Sequence, residues 1–258
     1  MPRPVSIAVI GKGKLGRSLS AAIQSCHGRY TLFANVPART ASFARLGKNG
    51  GPDVVFVVCA DRFVRDTAAR AIAACGVNTT IAIHCAGSLP ASVLPSHLGV
   101  ARAMLHPIQT FAKPSARAFN GITFGLQSTD KKARDFALPF SKAIGGKDVI
   151  ELVERQLPLY HTSTVFAANF VTLLVAAVES ISLDLDQAPK RFKAALAPLM
   201  QTALANALHK PAFAALTGPI ARGDTETIAS HRAALRKIGR RDLLTIYDAF
   251  VGLARELS

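Results

Sequence analysis

The chain has 258 residues, half of them hydrophobic and 18% charged, with a formal net charge of +15. That composition excludes a disordered chain and supports a sizeable core in one large or two modest domains. Four cysteines (Cys26, Cys59, Cys75, Cys85) form no C-x-x-C pair and follow no metal-ligand rhythm, which argues against a zinc site and for reduced thiols in a cytoplasmic protein.

No secretory signal is visible before the first strand, Val5–Ile10, which leads into a helix, Lys14–Ser25, and a second strand at 30–35. Residues 53–59 (DVVFVVC) read as a third strand, apolar enough for burial on both faces. A helix at 62–75 and strands at 80–84, 100–105 and 122–126 continue the alternation. This alternation predicts a parallel sheet with crossover helices, a doubly wound α/β domain.

Beyond 149 the pattern turns helical, with helices expected at 160–183, 189–208, 224–235 and 241–257. The expected domains are 1–152 and 153–258, closely apposed across a cleft. The apolar run 165–178 is about two-thirds of a membrane span and contains Asn169, so it reads as a buried core helix with no membrane partner. Basic residues are scattered except at 232–241, which reads as a solvated helix face. Without zinc-finger spacing or an aromatic-rich RNA-binding signature, nucleic acid is not expected as the main partner.

The first strand runs directly into Gly11-Lys12-Gly13-Lys14-Leu15-Gly16 and then the helix. A bare G-x-G-x-x-G is weak, and a purely structural turn is its plain alternative. Its place between strand and helix, inside a unit of about thirty residues, makes it a dinucleotide loop. Gly11 permits the tight turn, Gly13 lets backbone approach a pyrophosphate, and Gly16 allows close packing of helix on strand. The helix start at Lys14 and Leu15 offers its amides and partial positive charge to phosphates.

An NAD-preferring site places Asp or Glu about twenty residues further on. Here that segment is FANVPARTASF (33–43), and the first 52 residues contain eight Lys or Arg and no acid. Arg39 and Thr40 stand where the loop meets the adenosine ribose. A guanidinium there would grip a 2′-phosphate in a fork, so NADP(H) is expected over NAD(H).

Four later motifs occur in order across most of the chain: HCAGSLPASVL (84–94), LHPIQTF (105–111), YHTSTVFAANF (160–170) and LTGPIARGD (216–224). Together they resemble the Rossmann-like proteins with domain of unknown function 2520. These are similar in architecture to pyrroline-5-carboxylate reductase and the β-hydroxyacid dehydrogenases. The resemblance implies a Rossmann domain followed by an all-helical domain of 6-phosphogluconate-dehydrogenase type, a homodimer, and an NADP-linked oxidoreductase. It implies no particular substrate.

Ligands in doubly wound sheets lie beyond the carboxyl ends of the strands. Ala60 and Asp61, His84 and Cys85, and His106 each follow a strand and are expected to border the nicotinamide. Asp61 also reads as a helix N-cap, and His84 and Cys85 as strand-end packing. His106, followed by Gln109 and Thr110, resembles a substrate-approaching loop of prephenate dehydrogenases; a structural turn is the other reading.

His161, Val165 and Asn169 are spaced i, i+4, i+8 and so share one helix face. The β-hydroxyacid dehydrogenases carry a catalytic lysine four residues before the asparagine; here that position is Val165. His161 is the replacement proton donor, since imidazole titrates near physiological pH, with Tyr160 as the alternative and Asn169 orienting substrate. Arg222 is the residue to clamp a carboxylate or phosphate, while Asp224 and Glu226 read as helix-start residues.

The combined reading is hydride transfer to or from a small anionic carbonyl, imine or hydroxyacid-like substrate. Two rivals stand beside it: a non-catalytic NADP(H)-binding sensor, favoured by the missing lysine, and a deazaflavin-dependent reductase.

Overall fold

The computed structural model describes residues 3–26, 28–96 and 98–257. It contains two compact units, Met1–Ala168 and Asn169–Ser258. The division falls later than the expected 152, because the first helix beyond the sheet belongs with the first unit: its Leu157 is buried and its Tyr160 bonds to a strand residue.

The first unit is built on seven strands, β1 (Val5–Ile10), β2 (Tyr30–Val36), β3 (Val54–Val57), β4 (Ile81–His84), β5 (Ala101–Pro107), β6 (Thr123–Gln127) and β7 (Asp148–Glu151). Their order in the sheet is β2-β1-β3-β4-β5-β6-β7. The chain therefore leaves β1 on one side for β2 and returns on the other as β3. Such a switch opens a crevice beyond the carboxyl end of β1.

Helices α1 (Lys14–Ser25), α2 (Val64–Ala73) and α3 (Lys131–Ala143) belong to this unit. Strand alternation sends Ile7, Val9 and Phe56 into one buried cluster with Leu19 and Phe140. It sends Ala8, Ile10, Val55 and Val57 into another with Val64 and Leu46. Both faces are covered at the centre of the sheet, which is why β3 is apolar without a polar phase and β3 and β4 are buried throughout.

Two features depart from the sequence reading. The pairing of β5 with β6 is antiparallel, not parallel. The chain between them forms only a 3-10 turn at Ala116–Phe119, without the helix that usually carries a parallel crossover. The step from β6 through α3 to β7 then restores parallel pairing. Neither α3 nor β7 was expected: Pro139 interrupts the helical signal, and β7 is four mostly exposed residues.

Helix α4 (Leu157–Thr164) continues as a π-helical turn, Val165–Phe170, across the division between the units. The second unit comprises α5 (Val171–Asp184), α6 (Pro189–His209), the short α7 (Gly218–Ala221), α8 (Thr225–Lys237) and α9 (Arg241–Glu256). No strand occurs among its described residues. Arg232 pairs with Asp248 at 2.6 Å, and Arg240 pairs with Asp184 at 3.0 Å and Asp242 at 2.9 Å, so part of the basic cluster at 232–241 is engaged within the unit.

The expectation of a buried core helix at 165–178 fails. Glu154–Asp184 is long and apolar enough to cross a membrane, with a mean hydropathy of 1.8, and none of the residues in its most apolar window is fully buried. Leu173 on α5 is 60% exposed and Leu199 on α6 is 67% exposed. Hydropathy reports what a surface is made of, not what covers it.

Candidate functional site

Beyond the end of β1 the chain turns through Gly11, whose amide donates to the Val36 carbonyl at 2.8 Å. Its φ of +138° suits glycine alone, and a Cβ would run into the Val58 carbonyl oxygen. A Cβ on Gly16 would overlap the Gly11 carbonyl, so this glycine sets how closely α1 approaches the turn. Gly13 differs: nothing lies within 4 Å of where its Cβ would stand. Two glycines shape the loop, and the third leaves its outer surface open.

Helix α1 starts at Gly13 with no side-chain cap and no acidic residue in its first turn. Its free amides and partial positive charge therefore face outward unanswered. They border a cavity of about 490 Å³ lined by Gly11, Lys12, Gly13, Lys14, Leu15, Gly16, Pro37, Ala38, Arg39, Val58, Cys59 and Ala60. The expected residues Gly11, Gly13, Lys14, Leu15, Gly16, Arg39 and Ala60 are thus brought together, and Lys12 joins them. Arg39 is exposed and caps the 3-10 turn Thr40–Arg45. The side chain of Thr40 lies outside what the structure describes.

No carboxylate lines this cavity among the described residues. The first acid of the chain, Asp53, sits by the opposite end of β1, where it accepts from the Ser6 amide at 2.8 Å and the Arg3 guanidinium at 2.6 Å. Asp61 is not the N-cap of α2. It opens the 3-10 turn Asp61–Phe63, and its carboxylate accepts a short hydrogen bond from the Ser88 hydroxyl.

His84 is fully buried and has both ring nitrogens engaged. Nε2 lies 3.1 Å from the Pro90 carbonyl, so it donates, while Nδ1 accepts from the Ala86 amide at 3.2 Å. Burial takes its pKa down to about 4, so it is neutral at physiological pH. Burial likewise pushes the Cys85 thiol up to about 12, far from a reactive thiolate. Both residues pack the strand end.

His106 is the centre of a second cluster. It lies on β5 directly opposite Gly125 of β6, and its Nδ1 is 2.7 Å from the Tyr160 hydroxyl. The two rings meet edge to face, with centroids 5.7 Å apart. The His161 ring stands 6.2 Å from that of His106. Burial, with His161 beside it, brings His106 down to about 4, while the Asp61 carboxylate pulls the other way. Burial raises the Tyr160 phenol to about 12. The hydrogen-bonded pair is therefore a neutral imidazole and a neutral phenol across the physiological range.

Asn169 is exposed within the π-helical turn and belongs to the second unit, whereas His161 belongs to the first. Arg222 ends α7 on an exposed loop of the second unit. In that loop Asp224 caps α8 as expected, accepting from the Thr227 amide at 3.0 Å. The sequence reading placed Tyr160 only as an alternative donor, placed Gly87 only as part of the segment that follows β4, and missed Gly125, whose signal was an isolated glycine in a strand.

No curated protein matches the chain. In fold it is similar to a candidate NADP oxidoreductase from Bacteroides fragilis, at 18% identity and a TM-score of 0.79 over 98% of each chain. A protein from Thermotoga maritima is similar at 22% identity and a TM-score of 0.72 over 97% of each. Pyrroline carboxylate reductase from Plasmodium falciparum, solved with NADP bound, is similar at 11% identity and a TM-score of 0.60 over 98% of this chain and 96% of that one. These likenesses show a Rossmann-like fold. The model of a family defined by a domain of unknown function, DUF2520, matches residues 122–253, more than half of the chain, and the chain belongs to that family.

Proposed function

We propose that this chain is an NADP(H)-dependent oxidoreductase acting on a small anionic carbonyl, imine or hydroxyacid. The observation that carries the reading is the cavity at the glycine loop, walled by an uncapped helix start, Lys12, Lys14 and Arg39, with no carboxylate on its lining. These residues fit a dinucleotide phosphate: the surface over Gly13 is clear, the helix amides are free to donate, and the cations match a 2′-phosphate. Gly11 and Gly16 would shape the loop, the open surface over Gly13 would receive the pyrophosphate, and Arg39 the 2′-phosphate. When bound, the nicotinamide supplies the hydride chemistry.

The net charge of +15 favours an anionic substrate. The uncovered apolar faces of α5 and α6 support a homodimer through the second unit. Val165 at the position where the β-hydroxyacid dehydrogenases carry their lysine favours a second reading, a sensor that binds the nucleotide without turnover.

A paired fluorescence titration with NADPH and NADH tests the proposal. NADPH binding tighter by roughly tenfold or more, the scale of one charged hydrogen bond, is expected. Equal affinity would reassign the site to either nucleotide. Binding of neither would remove the oxidoreductase reading, and tight NADPH binding without reduction of any carbonyl or imine would favour the sensor.

A further inference from the structure

Two glycines far apart in sequence withdraw the backbone around one pair of polar atoms. A Cβ on Gly87, just beyond β4, would stand 2.7 Å from Nδ1 of His106. A Cβ on Gly125, opposite His106 in the antiparallel pair, would overlap the Tyr160 hydroxyl oxygen. In the space so cleared, that hydroxyl and Nδ1 lie 2.7 Å apart. Gly87 adjoins Ser88, which bonds to Asp61, and Asp61 adjoins Ala60 in the wall of the nucleotide cavity. Protein interiors are close-packed, so room of this kind is ordinarily taken up by side chains of the strand itself. Here the filling is left out and two hydrogen-bonding atoms occupy the gap.

We propose that Tyr160 and His106 form a proton relay, in which Tyr160 gives the substrate its proton and His106 replaces it. The inference rests on the oxidoreductase reading above, in which the reduced nicotinamide is the hydride source. With Nδ1 protonated, His106 donates to the phenol oxygen and leaves the hydroxyl proton free for the substrate. The Tyr160 O–H bond breaks as the new O–H or N–H bond forms on the substrate. The phenol oxygen takes the proton from Nδ1, and Nε2 takes one from solvent. Each turnover consumes one hydride and one solvent proton, and solvent exchange returns the imidazole to its starting tautomer.

The test compares wild type with Tyr160→Phe, His106→Ala and His161→Ala in three measurements. These are the NADPH Kd, NADPH-dependent turnover of a panel of small α-keto acids, aldehydes and cyclic imines, and the 15N shifts of the His106 ring. Tyr160→Phe is expected to keep the NADPH Kd within about twofold, to lose about 10²–10³-fold in kcat, and to move the His106 ring nitrogens. His106→Ala is expected to lose kcat similarly and to recover part of it with added imidazole, which a structural brace would not do.

Wild-type turnover in Tyr160→Phe, or unchanged His106 shifts in that variant, overturns the relay. A loss confined to His161→Ala transfers the acid role to His161. A wild type that binds NADPH but reduces no panel member makes the pair a structural brace. Failure of the oxidoreductase reading is visible separately, as absent NADPH binding by wild type.

Discussion

Gly125 faces His106 across the antiparallel pair of β5 and β6, and its missing side chain leaves the room that the Tyr160 hydroxyl occupies. Gly125→Ala should therefore destabilise the chain by about 1–3 kcal/mol, the usual cost of forcing a methyl into a filled site. In a Tyr160→Phe background, which lacks the displaced oxygen, the penalty should shrink. Chemical denaturation of the four members of that cycle measures this; equal penalties in both backgrounds would sink the steric account.

Gly13 and Gly16 should respond differently to the same substitution. Gly13→Ala adds a methyl to open space, so denaturation midpoints should hardly move, while NADPH binding falls because the methyl occupies the surface a phosphate would approach. Gly16→Ala overlaps the Gly11 carbonyl and should cost stability whether or not nucleotide is present. If Gly13→Ala binds NADPH as wild type does, the loop is a structural turn.

Arg39→Ala should weaken NADPH by roughly ten- to hundredfold, about 1.5–3 kcal/mol for one charged hydrogen bond, and leave NADH nearly unchanged. Equal losses for both nucleotides would remove Arg39 from the 2′-phosphate.

Stability should fall as the pH drops from about 6.5 to about 4. Buried His84 titrates near 4 in the folded chain and near 6.5 when unfolded, so in that window the unfolded chain binds a proton that the native one refuses. The loss is about 3 kcal/mol for His84 at 1.36 kcal/mol per pKa unit, and His106, brought down to the same value, adds to it in the same window. Below about 4 both states carry the proton and this contribution stops changing. Denaturation at pH 7 and 4.5 should show a flatter dependence in His84→Gln than in wild type; parallel curves would show that burial of His84 is not the cause.

The uncovered helices of the second unit lead to a test of assembly. Leu174 on α5 and Leu204 on α6 line the same apolar groove. Light scattering coupled to size exclusion should give the mass of a dimer for wild type and a monomer for Leu174→Asp. A wild-type monomer that instead partitions onto phospholipid vesicles would assign the apolar face to a membrane surface.

The grouping of the glycine-loop residues around one cavity was legible because its determinants are local. The turn, the close approach and the helix start are written within Gly11–Gly16, and the missing acid needs only a count along 33–43. The His106–Tyr160 pair could not be read that way, because 54 positions separate its members and the reversal of β6 brings the strands into register. Helix α3 was masked by Pro139 in its interior, and β7 by its brevity. The apolar run at 165–178 was recognised as needing cover, but periodicity carries no information on whether that cover lies within the chain.

The reversal of β6 has a further effect. The five parallel strands present one set of carboxyl ends, and the glycine-loop cavity lies there. The antiparallel return brings the beginning of β6 back to the end of β5, so the polar pair is completed by a segment that takes no part in the cavity wall. On the proposed reading the site is modular: substitutions between 123 and 161 are expected to alter proton handling and to leave nucleotide affinity unchanged. A lineage built this way can change its substrate, or give up turnover and keep the bound nucleotide as a signal, without rebuilding the sheet.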